Sequence, residues 1–233
     1  MRTAFIVAAV TFATVARAEY TETAVTNGGT ISGRVSYDGT PPPPEKVTIT
    51  QDPATCGTSR ELDEWQVSSS GGVKEAVVYL VDIKSGKKMD FPSTPLLDQK
   101  GCRYQPHMQI IAKNANLQVK NSDPILHNIH SYQEGRTILN IAEPKQGMVV
   151  DKKMSKSGGE SLKCDIHNFM RGGLFVAENP YAAVTDADGK YAIKDVPPGT
   201  YQIGTFHEVG GTKLGSVTVP AGGKVTYDAK IKK

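Results

Sequence analysis

The feature that most constrains the fold is the segment 164–170, which reads Cys-Asp-Ile-His-Asn-Phe-Met. It supplies a thiol, an imidazole and a thioether within one short loop, and a second imidazole, His127, stands well upstream. One thiolate, two imidazoles and a weakly bound thioether are the ligands of mononuclear electron-transfer copper sites, whereas zinc rarely recruits a thioether. The chain must therefore fold so that His127 returns to this loop, which separate strands of a rigid sandwich achieve.

The rest of the chain favours an all-β fold. Its 233 residues include 23 glycines and 14 prolines, and the apolar residues fall in short alternating runs. Strands are predicted at 30–35, 76–81, 108–110 and 117–120, with turn signals between them, and nothing reads as a long helix. The runs form three segments, 28–89, 90–179 and 180–233.

Residues 1–18 have the composition of a secretory signal peptide. Arg2 supplies a positive charge, an apolar run over 4–15 follows, and Ala16-Arg17-Ala18 fits a small-x-small cleavage site. The run is too short to span a bilayer, and no later stretch reaches the roughly 20 apolar residues of a transmembrane helix. We expect a mature protein that begins near Glu19, is periplasmic or extracellular, and does not span a membrane.

The number of cysteines adds to this expectation. Thiols pair in an oxidising compartment, and an odd thiol calls for an explanation. Cys56 lies in a loop-like segment and Cys102 at a strand entrance, so a disulfide between them is predicted, which leaves Cys164 alone. A metal explains that lone thiol; an inert buried cysteine is the alternative, and the polar residues on both sides of Cys164 disfavour it.

The middle segment of the sequence resembles a known family. An Asn-Ser-Asp turn at 121–123 precedes His127-Asn128, and Cys164 and His167 follow in one later loop, as in the cupredoxins plastocyanin, pseudoazurin and azurin. The resemblance covers the segment 90–179 and implies a Greek-key β-sandwich. It also implies that copper is bound by His127, Cys164, His167 and Met170, and that Asn128 ties the two ligand loops together. Met170 follows His167 more closely than is usual in that family, and His130 is the rival for the first ligand position.

The flanking segments resemble a second family, the transthyretin-like module of carboxypeptidase regulatory regions. The matching motifs are Gly33-Arg34-Val35, Gly39-Thr40-Pro41, the turn over 185–191 and the Val-Pro-Pro-Gly-x-Tyr run over 196–201. The resemblance implies a transthyretin-like β-sandwich built from 28–89 and 180–233, with the cupredoxin-like segment inserted into it or sharing its edge. Two or three β-domains in series are the alternative.

Together these features predict an exported copper protein that transfers one electron, with a redox protein such as a cytochrome as partner. A binding or scaffold protein with a structural metal site, and copper sequestration or delivery, are the alternatives. We expect no enzyme, because copper oxidases and nitrite reductases place a histidine beside the cysteine, where Lys163 and Asp165 stand here. The net charge of +3 is too small to indicate nucleic-acid binding.

Overall fold

The computed structural model describes residues 19–62 and 64–233. The predicted signal peptide at 1–18 lies outside the described residues. In the described part, the chain is nearly all β, so the predicted fold class is confirmed. In chain order, the elements are β1 Thr21–Glu22, β2 Gly29–Tyr37, β3 Lys46–Thr48, α1 Pro53–Cys56, β4 Ser59–Glu61, β5 Val77–Val81, β6 Ser85–Gly86, β7 Leu96–Gln99, β8 Tyr104–Gln105, β9 Met108–Ala112, β10 Asn116–Asn121, β11 His127–Gln133, β12 Arg136–Glu143, β13 Val149–Lys153, β14 Gly158–Lys163, β15 Arg171–Ala177, β16 Ala182–Val184, β17 Lys190–Val196, β18 Gly199–His207, β19 Gly211–Val219, β20 Lys224–Thr226 and β21 Ala229–Ile231.

Two sheets enclose a first hydrophobic core. One has the order β13-β10-β7-β8 and the other β12-β11-β14-β15-β9. Alternate residues of β10 and β11 point inward, such as Leu117 and Val119 on β10 and Ile129 on β11, because successive side chains of a strand face opposite sides of the sheet. Cys164 and Met170 belong to this same core, at the end where β14 and β15 are joined.

Two further sheets enclose a second core. They have the orders β16-β5-β18-β19 and β17-β2-β20, and β21 also pairs with β2. Ile31, Leu80 and Ile203 are buried between them. Each of these sheets contains a strand from 28–89 and strands from 180–233, so these two distant parts of the chain are hydrogen-bonded to one another. The three segment boundaries and the transthyretin-like character of this part stay predictions.

The two cores meet at β15, which is buried along almost its whole length instead of alternating. Its Leu174 faces the first core, while Phe175 packs against Phe206 and Val77 in a small third cluster. Gly159 on β14 allows this approach, because a Cβ there would lie 2.2 Å from the Phe206 ring. The strands that carry the candidate ligands are thus supported from both sides.

Residues 46–62 have a position that the sequence did not predict. This segment, which we call the cap segment, consists of the β3–β4 hairpin with α1 at its tip. Its buried residues Ile49 and Cys56 belong to the first core, not to the second. Cys56 forms a disulfide with Cys102, with Cα atoms 5.2 Å apart. The segment is therefore fastened to the sandwich that holds the candidate ligands.

No helix in the described ranges is long and apolar enough to cross a membrane.

Candidate metal centre

The strand order explains how the distant parts of the centre meet. His127 is the first residue of β11, and Cys164 directly follows β14. These strands are antiparallel neighbours with His130 opposite Lys163, so the start of one lies beside the end of the other. His167 comes from the loop that links β14 to β15. The sandwich thus brings together three side chains that the sequence separates.

The donor atoms of these side chains converge on one point. Nδ1 of His127 lies 3.1 Å from Nδ1 of His167, and Sγ of Cys164 lies 3.7 Å from the latter. All three atoms lie within 4.8 Å of one another, and the residues are 0–2% exposed. Bonds from a first-row metal ion to nitrogen and sulfur are about 2.0–2.3 Å long, so atoms at these separations can share one ion.

A carboxylate holds the outer nitrogen of each imidazole. Nε2 of His127 lies 2.9 Å from Asp123 Oδ2, and Nε2 of His167 lies 3.0 Å from Asp52 Oδ2. These partners assign the ring proton to Nε2 in both cases, because a carboxylate accepts and does not donate. Each Nδ1 then directs a lone pair at the other and at the sulfur. When both rings are neutral and the thiol is ionised, the three inward atoms are acceptors with no proton between them, and a bound cation satisfies such a group, so the residues fit a metal ion.

The surroundings of the Cys164 sulfur also favour metal binding, through the pKa of the thiol. In the metal-free protein, burial raises the pKa of the Cys164 thiol, but hydrogen bonds that the rings of His127 and His167 donate to the sulfur when they carry a proton on Nδ1 outweigh burial and lower its pKa to about 6. Burial lowers the pKa of His127, whereas its contacts with Cys164 and Asp123 raise it, with a net rise. The thiolate is the form that binds metals, so the lowered pKa favours the ligating form of Cys164.

Asn128 links the two ligand loops. Its Oδ1 accepts a hydrogen bond from the backbone N–H of Asp165 at 2.7 Å, and its Nδ2 donates to the Asp165 carboxylate at 2.8 Å. Because Asp165 is covalently joined to Cys164, these bonds fix the cysteine relative to β11.

Met170 is buried beside the three donors, with 1% of its surface exposed. Its backbone N–H donates to the carbonyl of His167 at 2.8 Å, which closes a tight turn, and its side chain packs in the core that contains Cys164 and Phe169. Its role as fourth ligand stays a prediction.

His130 is not brought to the donor cluster. It stands three residues after His127, so the two side chains point to opposite faces of β11. Its Nδ1 lies 2.9 Å from Asp165 Oδ1, and its Nε2 lies 2.9 Å from Thr137 Oγ1. Its ring also stacks on Tyr132. These contacts support the outside of the ligand loop.

Sequence reasoning missed both carboxylates. Asp123 lies in the Asn-Ser-Asp turn at 121–123, and its position four residues before His127 was an available signal. Asp52 is 115 residues from His167, and no pattern links the two. A second grouping, Cys102 with Asp123 and His127, is excluded as a separate metal site because the sulfur of Cys102 is in the disulfide.

The geometry distinguishes His127 from His130 as the candidate for the first ligand position. Replacement of His127 by Gln is expected to abolish tight copper binding, since it removes one of three strong donors. His130→Gln is its matched control and is expected to retain tight copper binding, because His130 contacts Asp165 and Thr137 and none of the three donor atoms. Copper titration followed by visible absorption measures both. Loss of binding in His130→Gln with retention in His127→Gln would reverse the assignment.

No protein-family model and no curated protein sequence matches this chain. Solved structures that are similar to part of it include cupredoxins. A purple cupredoxin from Nitrosopumilus maritimus is 19% identical over 36% of this chain and 99% of its own, with a TM-score of 0.31. Amicyanin from Paracoccus versutus is 18% identical over 38% of this chain and 86% of its own, with a TM-score of 0.32.

A copper-containing nitrite reductase from Thermus scotoductus SA-01 is also similar. It is 19% identical over 43% of this chain, with a TM-score of 0.33, and the match covers 25% of the reductase. These neighbours thus include one protein named as a cupredoxin, an amicyanin and an enzyme. At such identities and TM-scores the likeness carries no information on chemistry, so the function has to be inferred from the side chains of the centre.

Proposed function

We propose that this chain is an exported mononuclear copper protein that transfers one electron through a type 1-like site. The observation that carries the proposal is the convergence of His127 Nδ1, His167 Nδ1 and Cys164 Sγ within 4.8 Å, in a buried place where all three face inward as acceptors. Thiolate with imidazole suits copper, and the buried Met170 beside them favours copper over zinc.

Bound copper would supply a one-electron couple between Cu(I) and Cu(II). The protein's own part is to keep the donors in one arrangement through both states. His127 starts a strand paired on both sides, and the two imidazoles are held from outside by carboxylates. Such outer contacts fix ring orientation and hydrophobic surroundings limit solvent, so little has to move when the charge on the site changes.

Burial supports electron transfer over copper delivery and over catalysis. Cys164 is 2% exposed and both histidines are 0% exposed. A delivery protein must release its ion to a partner's ligands, and a catalytic site must admit a substrate, whereas an electron can leave through the protein. We therefore propose a non-enzymatic carrier whose partner is a redox protein such as a cytochrome.

Two other parts of the proposal have separate support. The Cys56–Cys102 disulfide is typical of proteins in oxidising compartments, which supports export to the periplasm or the extracellular space. The hydrogen bonding of 28–89 to 180–233 supports a second, transthyretin-like sandwich, from which the copper-binding segment 90–179 projects. We propose that this second sandwich is a scaffold and takes no part in electron transfer.

Loading the purified mature chain with Cu(II) tests the function. We expect an intense thiolate-to-copper visible band that bleaches on addition of one electron equivalent and returns on reoxidation, because the buried thiolate is the electron donor in that transition. Titration by absorption and voltammetry measure the band and the couple. A copper-loaded protein without the band, or without a reversible couple, would overturn the electron-transfer proposal.

A further inference from the structure

The carboxylate on His167 comes from an unexpected part of the chain. Asp52 lies at the tip of the cap segment, directly before α1, and its Oδ2 meets His167 Nε2 at 3.0 Å. The ring of His167 is fully buried, whereas 31% of the Asp52 side chain is exposed. Asp52 is therefore the group between this ligand and solvent.

The cap segment holds Asp52 in a fixed backbone position. Its φ is 51°, in the left-handed region, and its carbonyl accepts hydrogen bonds from the N–H groups of Thr55 and Cys56 at 3.0 and 2.9 Å. Cys56 is in turn bonded to Cys102. The disulfide therefore attaches the turn that contains Asp52 to the first sandwich.

The other half of the disulfide supports the other histidine. Asp123, which contacts His127, accepts hydrogen bonds from the backbone N–H groups of Gly101 and Cys102, both at 2.8 Å. Arg60 of the cap segment donates to the carbonyls of Gly101 and Cys102. One cross-link thus stands at the centre of the contacts that hold both imidazoles.

We propose that Asp52 is a positioning residue of the metal centre, and that the Cys56–Cys102 disulfide clamps it against His167. The cap segment then both orients the ligand and closes the site, so loss of either the carboxylate or the cross-link loosens His167 and exposes Cys164. The effect on copper rests on the function proposed above, whereas the closure of the site over Cys164 does not require copper.

The first test uses variants that the backbone at position 52 accepts. Glycine adopts a positive φ without strain and asparagine tolerates it, so Asp52→Gly removes the carboxylate while Asp52→Asn keeps an oxygen acceptor in place. Asp195→Gly is the matched control, because Asp195 is an exposed aspartate with a φ of 58° on β17, in the second sandwich.

Two measurements are made on each variant. In the metal-free protein, alkylation of Cys164, the free cysteine of the described chain, is expected to be about tenfold faster in Asp52→Gly, since a hydrogen bond to a charged group no longer holds the covering ring. In the copper-loaded protein, transfer to a Cu(I) chelator is expected to be about 10–100-fold faster, as for other changes next to a ligand. Both rates in Asp52→Asn should lie much closer to those of wild type than to those of Asp52→Gly. Both rates in Asp195→Gly should match wild type.

A Cys56→Ala/Cys102→Ala variant tests the clamp and leaves Cys164 as its single thiol. Its alkylation is expected to be at least as fast as that of Asp52→Gly. Equal alkylation rates for Asp52→Gly, the double variant and Asp195→Gly would overturn the proposal. If wild type forms no copper site but the alkylation rates differ as expected, the proposed function fails and the role of the cap segment stands.

Discussion

Replacing Cys164 with serine is expected to remove the visible band of the copper-loaded protein completely. The transition needs a thiolate, and the hydroxyl of serine is neither ionised at neutral pH nor soft enough to favour Cu(I). Copper affinity is expected to fall by more than the about 10–100-fold that follows changes beside a ligand. His127 and His167 remain, so we expect the variant to bind Cu(II) weakly and without the band.

Met170→Leu is the matched control for this prediction. It replaces another buried sulfur of the same loop with a side chain of similar volume, which cores tolerate well. Because the three strong donors remain, the intense band should persist. A changed band position or a raised potential would identify the thioether as a ligand, and an unchanged spectrum would identify it as packing only. Circular dichroism checks that both variants fold. An intense band in Cys164→Ser would contradict the assignment of the thiolate.

Some side chains of the candidate metal centre can be predicted from the sequence, and others cannot. The grouping of His127, Cys164 and His167 could be predicted because ligand chemistry restricts residue type, and because a loop between adjacent strands supplies two of them together. The alternation of Leu117 and Val119 likewise predicts a strand with one buried face. Such signals are local, or they depend on chemistry that few residue types provide.

The missing parts depend on contacts between distant segments. Asp52 reaches His167 only because the cap segment folds onto the first sandwich, and aspartate in a loop has many ordinary roles. The burial of both faces of β15 arises because Phe206 of another sheet covers its second face, which the strand's own sequence does not indicate. His130 is separated from His127 by strand parity, which becomes decisive only once the strand is known to begin at His127.

Removal of the disulfide is expected to destabilise the metal-free protein by about 4 kcal/mol. The cross-link joins residues 46 positions apart, and in the chain-entropy account a loop of that length restricts the unfolded chain by about this amount. Cys56 and Cys102 are buried, so alanine is the better replacement, because serine would also bury a hydroxyl group. A loss of this size is a large share of the about 5–15 kcal/mol that stabilises a typical domain.

Urea unfolding of the Cys56→Ala/Cys102→Ala variant, followed by circular dichroism, measures this loss. Cys164→Ala is the control, since it removes a buried sulfur without breaking a cross-link and is expected to cost about 1 kcal/mol. The slope of the free energy of unfolding against urea concentration should also become steeper in the double variant and not in Cys164→Ala, because an unfolded chain without the cross-link exposes more surface. If instead the double variant loses no more stability than Cys164→Ala and its slope is unchanged, then the disulfide does not restrain the unfolded chain, and the cap segment is held to the sandwich by packing and by Arg60.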